Sequence, residues 1–187
     1  MTRQPKLTGL VLPPVDDNTR DRSDLKDWPD VSARTVCHFA KQLGAAGEAL
    51  FDCQMLCFGE LSLQVGEFFS FDRLLVRPSG LLRVQVKTVI MPGDHGYTVE
   101  PRKGYRGSPR GLQRYGDDEF DLLAVVILRE SVVYYTADKS RTHHIPLSAI
   151  AHLRRRPRVS FDAAIAALEA AAEPPQTGPC LPGPASG

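Results

Sequence analysis

The chain has 187 residues, 42% of them hydrophobic and 24% charged, with a formal net charge of +1. Those values describe one globular domain with a good core plus tails. The near-zero charge excludes a molecule that coats nucleic acid with its whole surface, so any polyanion binding must come from local patches.

No uninterrupted apolar run reaches the roughly 18 residues of a membrane span, and the start lacks the basic, apolar, small-residue succession of a secretory signal. A cytoplasmic protein with no membrane partner is expected. Residues 1–30 are polar and hold Pro5, Pro13, Pro14 and Pro29, the pattern of a flexible N-terminal arm. Within it, Leu10-Val11-Leu12 can dock as a short edge strand. Asp30 is placed to cap a helix from Val31 to Lys41.

A second helix, Gly44 to Phe58, is apolar almost all round, which predicts burial. Its main stripe is Ala46, Leu50, Cys53 and Cys57, widened by Phe51, Met55 and Phe58, with Glu48 and Asp52 one turn apart on the polar side. The four cysteines (Cys37, Cys53, Cys57, Cys180) match no zinc spacing and are expected as buried free thiols, consistent with a reducing cytosol.

Gly59 ends the helix. Strands are predicted at Leu61–Val65, Phe71–Val76 and Leu81–Ile90, the last two joined by Pro78-Ser79-Gly80. Residues 91–118 are rich in glycine and proline and read as a long loop, with a brief strand at Thr98-Val99. Asp121–Leu128 is a continuous apolar run typical of a central strand, and Val132–Thr136 follows a tight turn. Helices are expected at Pro146–Leu153 and from a Ser160 cap to Ala172, before a disordered Pro/Gly-rich tail at 173–187. This order implies a small α/β sandwich on a mixed sheet.

A hairpin turn centred near Ser79 sets Asp72 opposite Gln85 or Val86. Period-2 alternation places Arg83, Gln85 and Lys87 on one face and Leu82, Val84, Val86 and Ile90 on the other. One face then gathers a carboxylate, an amide and an ammonium, a set suited to a metal and a phosphate. The same alternation also describes the wet face of any half-buried antiparallel sheet. Downstream, Arg102, Lys103, Arg106, Arg110 and Arg114 alternate with Tyr105 and Tyr115 and no acidic residue. Such a loop suits phosphate contacts, or is simply a charged loop. Arg154-Arg155-Arg156-Pro157-Arg158, His95, His143-His144 and the Asp117-Asp118-Glu119 turn are read as solvated surface.

Four segments stand in a telling order: Gly47-Glu48-Ala49, Phe71-Asp72-Arg73-Leu74-Leu75-Val76, Val84-Gln85-Val86-Lys87-Thr88 and Tyr115–Asp121. Together they resemble the PD-(D/E)XK nuclease superfamily, in particular the branch containing a group I intron homing endonuclease, where Gln stands in place of the usual Asp or Glu. The resemblance spans about residues 44–133; the proline that often precedes the aspartate is absent here and is optional in the superfamily.

The resemblance implies a restriction-endonuclease-like α/β core over residues 31–172, a central mixed sheet flanked by helices. It further implies a metal-dependent endonuclease that hydrolyses DNA phosphodiester bonds, with Glu48, Asp72, Gln85 and Lys87 catalytic. Mg²⁺ or Mn²⁺ would be bound by Glu48, Asp72, the Gln85 amide oxygen and the Val86 carbonyl. Lys87 would orient the attacking water or neutralise developing charge. Arg102, Lys103, Arg106, Arg110, Arg114 and Tyr115 would hold DNA. Paired cuts would favour a homodimer, although the sequence displays no exposed apolar seam. Two alternatives stand beside this: a silent nucleic-acid-binding module on the same fold, and an unrelated α/β interaction protein.

Overall fold

The computed structural model describes residues 25–104, 107, 109 and 111–172. The expected arm up to residue 24, with Leu10-Val11-Leu12, lies outside the described residues, as do Tyr105, Arg106, Arg110, the tail and Cys180. The chain divides into two units at His38/Phe39. The first holds a 3₁₀ turn, Leu25–Asp27, and helix α1, Ala33–His38. Ser32, not Asp30, caps α1, because the Ser32 hydroxyl accepts the Thr35 N–H at 3.2 Å.

Helix α2 spans Ala40–Phe58 and runs through Gly44 without a break. Gly59, at φ 77°, ends it in a Schellman motif: its N–H reaches the Leu56 carbonyl at 3.1 Å, and that of Glu60 reaches Met55 at 2.9 Å. The buried stripe is Leu43, Gly47, Phe51 and Met55, at intervals of four. The expected Ala46–Cys57 stripe is not the buried one: Ala46 is exposed, and Cys37, Cys53 and Cys57 are exposed thiols. Cys53 and Cys57 each lie two positions past Phe51 and Met55, about 200° around the helix, and the larger side chains take the sheet.

Nine strands follow among the described residues: β1 (Leu61–Gln64), β2 (Arg73–Arg77), β3 (Gly80–Val89), β4 (Gly96–Val99), β5 (Arg102–Lys103), β6 (Gln113–Arg114), β7 (Leu122–Ile127), β8 (Val132–Thr136) and β9 (His143–Pro146). Helices α3 (Leu147–Arg155) and α4 (Val159–Ala172) complete the second unit. The main sheet is ordered β1-β2-β3-β7-β8. Only β3 and β7 run parallel; the other neighbours are antiparallel, which makes the sheet mixed as expected. All six residues of β7 are buried, as a strand covered on both faces requires.

One face packs Phe51 and Met55 of α2 and Phe161 and Ile165 of α4 onto Leu75, Val84, Val86, Ala124 and Val126. The other packs Ile150 and Leu153 of α3, with Tyr97 and Ile145, onto Leu123, Val125 and Ile127. Helices thus flank both faces of the sheet. At Gly47 the helix approaches β3 so closely that a Cβ would lie 2.0 Å from Thr88 Oγ1.

The region 91–118 is more ordered than a loop. β4 pairs with β9, and β5 pairs with β6. The partner of Thr98-Val99 is His143-His144, far along the chain and too short to carry its own periodic signal. The last helix begins at Val159, so Ser160 sits inside its first turn and does not cap it; the Ser160 hydroxyl instead accepts the Tyr135 N–H at 3.3 Å.

A candidate active site in the cleft beside β2 and β3

Arg73 pairs with Val84 in the β2–β3 hairpin, and the Asp72 N–H donates to the Val84 carbonyl at 2.9 Å. One step further along this register, Asp72 stands opposite Gln85. A single oxygen, Asp72 Oδ2, accepts the Val86 backbone N–H at 2.8 Å and a side-chain N–H of Gln85. The same Gln85 nitrogen also donates to the Val86 carbonyl at 3.2 Å. The amide therefore bridges two oxygens, a carboxylate and a carbonyl, with its nitrogen and not its oxygen turned toward them.

The solvated-face reading does not hold for Gln85 and Lys87, whereas the Arg83 side chain stays partly exposed. Gln85 is 3% exposed, and the ammonium of Lys87 is enclosed. Lys87 Nζ donates to the Arg102 carbonyl at 2.9 Å and the Tyr115 hydroxyl at 3.0 Å, and it lies 5.1 Å from the centre of the Tyr115 ring. Arg83 is taken up by Asp121: its Nε lies 3.0 Å from one carboxylate oxygen and its Nη2 2.6 Å from the other. That pair joins β3 to the start of β7.

Burial shapes the charges here. It raises the Asp72 carboxyl above its ordinary value, against the pull of the Val86 N–H, Lys87, Arg73 and Gln85. Burial lowers the Lys87 ammonium, against the charges of Asp72 and Glu48. The Tyr115 phenol is pushed up by burial, with Asp72 and Glu119 adding to it. Tyr115 is therefore a neutral hydroxyl wedged beside a cation.

Glu48 projects from α2 toward Arg73, whose Nη1 it shares with the Asp72 carbonyl. Arg73, 4% exposed, is a residue that sequence reasoning missed. Its guanidinium donates to Asp52 through Nε at 2.9 Å, and through Nη1 to Glu48 at 3.0 Å and to the Asp72 carbonyl at 2.9 Å. A signal was present: an arginine at an inward position of an apolar strand, and two carboxylates one turn apart on the helix that covers it.

Asp72 and Gln85 line a cleft of about 570 Å³ together with Phe68, Phe69, Lys103, Tyr115 and Glu119. Lys103 is paired with Glu119, whose carboxyl is lowered by that contact and by the Gly116 N–H. Glu119 thus belongs to the cleft and not to an idle exposed turn. Phe68 is fully exposed and Phe69 largely so. Of the expected DNA-binding residues, Arg102 pairs with Glu100 and Arg114 is exposed. Among the described residues no group of three or more His, Cys, Asp or Glu could hold a metal ion. His143, expected on the surface, is buried in β9, whereas His144 and His95 are exposed. No helix among the described residues is long and apolar enough to cross a membrane.

No protein-family model matches the chain, and no curated protein does. Among solved structures, the chain is similar to a bacterial homing endonuclease, I-Ssp6803I, with a TM-score of 0.51 and 22% sequence identity. The likeness covers 71% of this chain and 95% of that one. At this identity it establishes a shared fold, a central mixed sheet flanked by helices.

Proposed function

We propose that the protein is a metal-dependent DNA endonuclease of PD-(D/E)XK type, acting at the cleft over β2 and β3. The observation that carries this reading is the convergence of the Asp72 carboxylate and the Val86 carbonyl on one point, with the Lys87 ammonium enclosed on the neighbouring strand position. A donor already bridges those two oxygens, so the point suits a cation. Two or three hard oxygen donors are the protein share that Mg²⁺ or Mn²⁺ takes beside its waters. Asp72 and Val86 would hold the ion, joined by Gln85 once its amide is turned and by Glu48 once Arg73 yields it. Bound there, a divalent ion polarises a phosphoryl oxygen and acidifies water.

The chain's own groups do the rest. Burial keeps the Lys87 ammonium poorly solvated, so a developing negative charge is stabilised more strongly than in water. Tyr115 holds Nζ in place by its hydroxyl and ring. Lys103 and Arg114 on the β5–β6 ribbon supply backbone phosphate contacts, which position a duplex without reading its sequence.

A second reading is a DNA-binding module with little or no catalysis. It is favoured by Gln85 in place of a carboxylate and by the engagement of Glu48 with Arg73. The deciding experiment incubates the protein with plasmid and branched DNA in Mg²⁺, Mn²⁺ or EDTA, beside Asp72→Ala and Lys87→Ala. Cutting that needs metal and vanishes in both variants, with thermal unfolding still cooperative, supports the nuclease. DNA binding without a cut under any metal moves the conclusion to the silent module, and no binding at low salt removes both.

A further inference from the structure

Tyr115 also lines a second cavity, of about 240 Å³, whose walls include Arg114, Asp138, Lys139, Arg141 and His143. The chemistry above uses Tyr115 and Arg114 from its walls, but not Asp138, Lys139, Arg141 or His143. His143 is 7% exposed, yet its buried Nε2 has no hydrogen-bond partner. An orphaned polar atom of this kind costs about 1–3 kcal/mol, and because Nε2 is closed off from water, a ligand recovers that cost only by shifting the cavity wall.

The walls are cationic. Arg102, Arg114, Lys139 and Arg141 face two carboxylates, Asp117 and Asp138. Asp138 is spent on Ser140, accepting its N–H at 2.9 Å and its hydroxyl at 2.6 Å. Arg102 is spent on Glu100, and Lys139 on the Phe120 carbonyl and ring. The guanidinium groups of Arg114 and Arg141 carry no ion pair among the described residues. Two free planar forks, with an imidazole nitrogen in its Nε2–H form, are suited to tetrahedral oxyanions. The volume is below that of a drug-sized ligand site and ample for one such group.

We propose that this cavity is a second phosphate-binding site, in which Arg114, Arg141 and the Nε2–H of His143 hold one phosphate group. Its place beside Tyr115 makes a backbone phosphate of the DNA strand in the cleft the natural source, and for that source alone the proposal rests on the nuclease reading. A free or terminal phosphate offers the same chemistry.

The test is imidazole ¹⁵N–¹H spectroscopy on the labelled full chain in EDTA, titrated with a duplex oligonucleotide, with sodium phosphate, and with sodium chloride at matched ionic strength. The His143 signal is assigned by its loss in His143→Gln, or by triple-resonance experiments on the unaltered chain should that variant fail to fold. Movement with duplex and phosphate but not chloride supports the site and a backbone source. Movement with phosphate alone supports it with a free or terminal source. A signal that ignores both, or that moves equally with chloride, overturns it. Arg141→Ala should abolish the movement and lower the salt slope of any duplex binding by about one; unchanged movement in that variant also overturns it. Plasmid cutting is scored separately, so a silent His143 in an active nuclease, or a responsive His143 in an inactive one, tells the two proposals apart.

Discussion

Asp72 and Gln85 face each other across the β2–β3 hairpin, and the amide of Gln85 donates a hydrogen to the same carboxylate oxygen that accepts the Val86 N–H. The amide thus offsets part of the cost of burying an anion there. It also stands where a second carboxylate would compete.

Gln85→Glu should therefore trade stability for metal affinity. Two carboxylates in one buried spot repel, and the metal-free protein should lose about 1–3 kcal/mol. Mg²⁺ or Mn²⁺ should restore it, since saturation at a hundredfold over Kd adds about 2.7 kcal/mol. Thermal unfolding with and without metal checks this. A metal-induced rise in Tm no larger than that of the unaltered chain would remove the metal assignment.

Gly47 and Gly44 lie one turn apart on α2 and should respond to alanine with opposite signs. At Gly44 a Cβ meets nothing within 4 Å, so Gly44→Ala should stabilise the helix by about 0.5–1 kcal/mol. At Gly47 the Cβ meets the β-branched side chain of Thr88, which cannot swing aside. Gly47→Ala should cost about 1–3 kcal/mol, and Gly47→Ala with Thr88→Ser should regain part of it. Urea midpoints of the four proteins give the answer.

Arg73, nearly buried, answers the two half-exposed carboxylates of α2. Arg73→Met should cost about 2–3 kcal/mol, below the range for fully buried pairs because Glu48 and Asp52 keep some water. A double-mutant cycle of Arg73→Met and Asp52→Asn should return a coupling of at least about 1 kcal/mol. Strict additivity would show that the short distances carry no energy.

Two aspartates should give stability opposite pH dependences. Burial pushes Asp121 up, but Arg83 outweighs it and holds the carboxyl low, so its contribution is present above the ordinary carboxylate value and is lost as pH falls through the depressed one. Asp72 is raised, so the native state holds its proton longer than the unfolded chain does. Stability then falls as pH climbs from the ordinary carboxylate value through the raised one. Asp121→Asn should cost about 1–2 kcal/mol at neutral pH, a buried-pair value discounted for partial exposure. Asp72→Asn should unfold no more readily than the unaltered chain at neutral pH. Denaturant midpoints across the acid-to-neutral range separate the two.

The sheet was legible because β7 is an unbroken apolar run and the β2–β3 hairpin has a clear turn, which sets Asp72 opposite Gln85 or Val86 from the sequence. The face of α2 was not, since several apolar stripes overlap on one helix and only contact with Thr88 and the sheet selects among them. Arg73 escaped notice for a related reason. A buried cation is recognised by what answers it, and its partners come from another element 21 and 25 residues away. The ribbons inside residues 91–118 have strands of two to four residues, below the length at which alternation means anything.

The cleft is assembled over two very different stretches of chain. Asp72 and Gln85 are 13 residues apart and need only a tight turn to meet. Lys87 meets Tyr115 28 residues on, after the β5–β6 ribbon has doubled back and β7 has not yet begun. Loop closure costs more for the longer stretch, and a ribbon of two-residue strands has little of its own to hold it shut. The floor therefore survives motions that lift the roof. Such an opening would leave the carboxylate and amide paired and free the lysine, so hydrogen exchange at Arg102, Lys103, Gln113 and Arg114 should run ahead of exchange at Asp72–Val86.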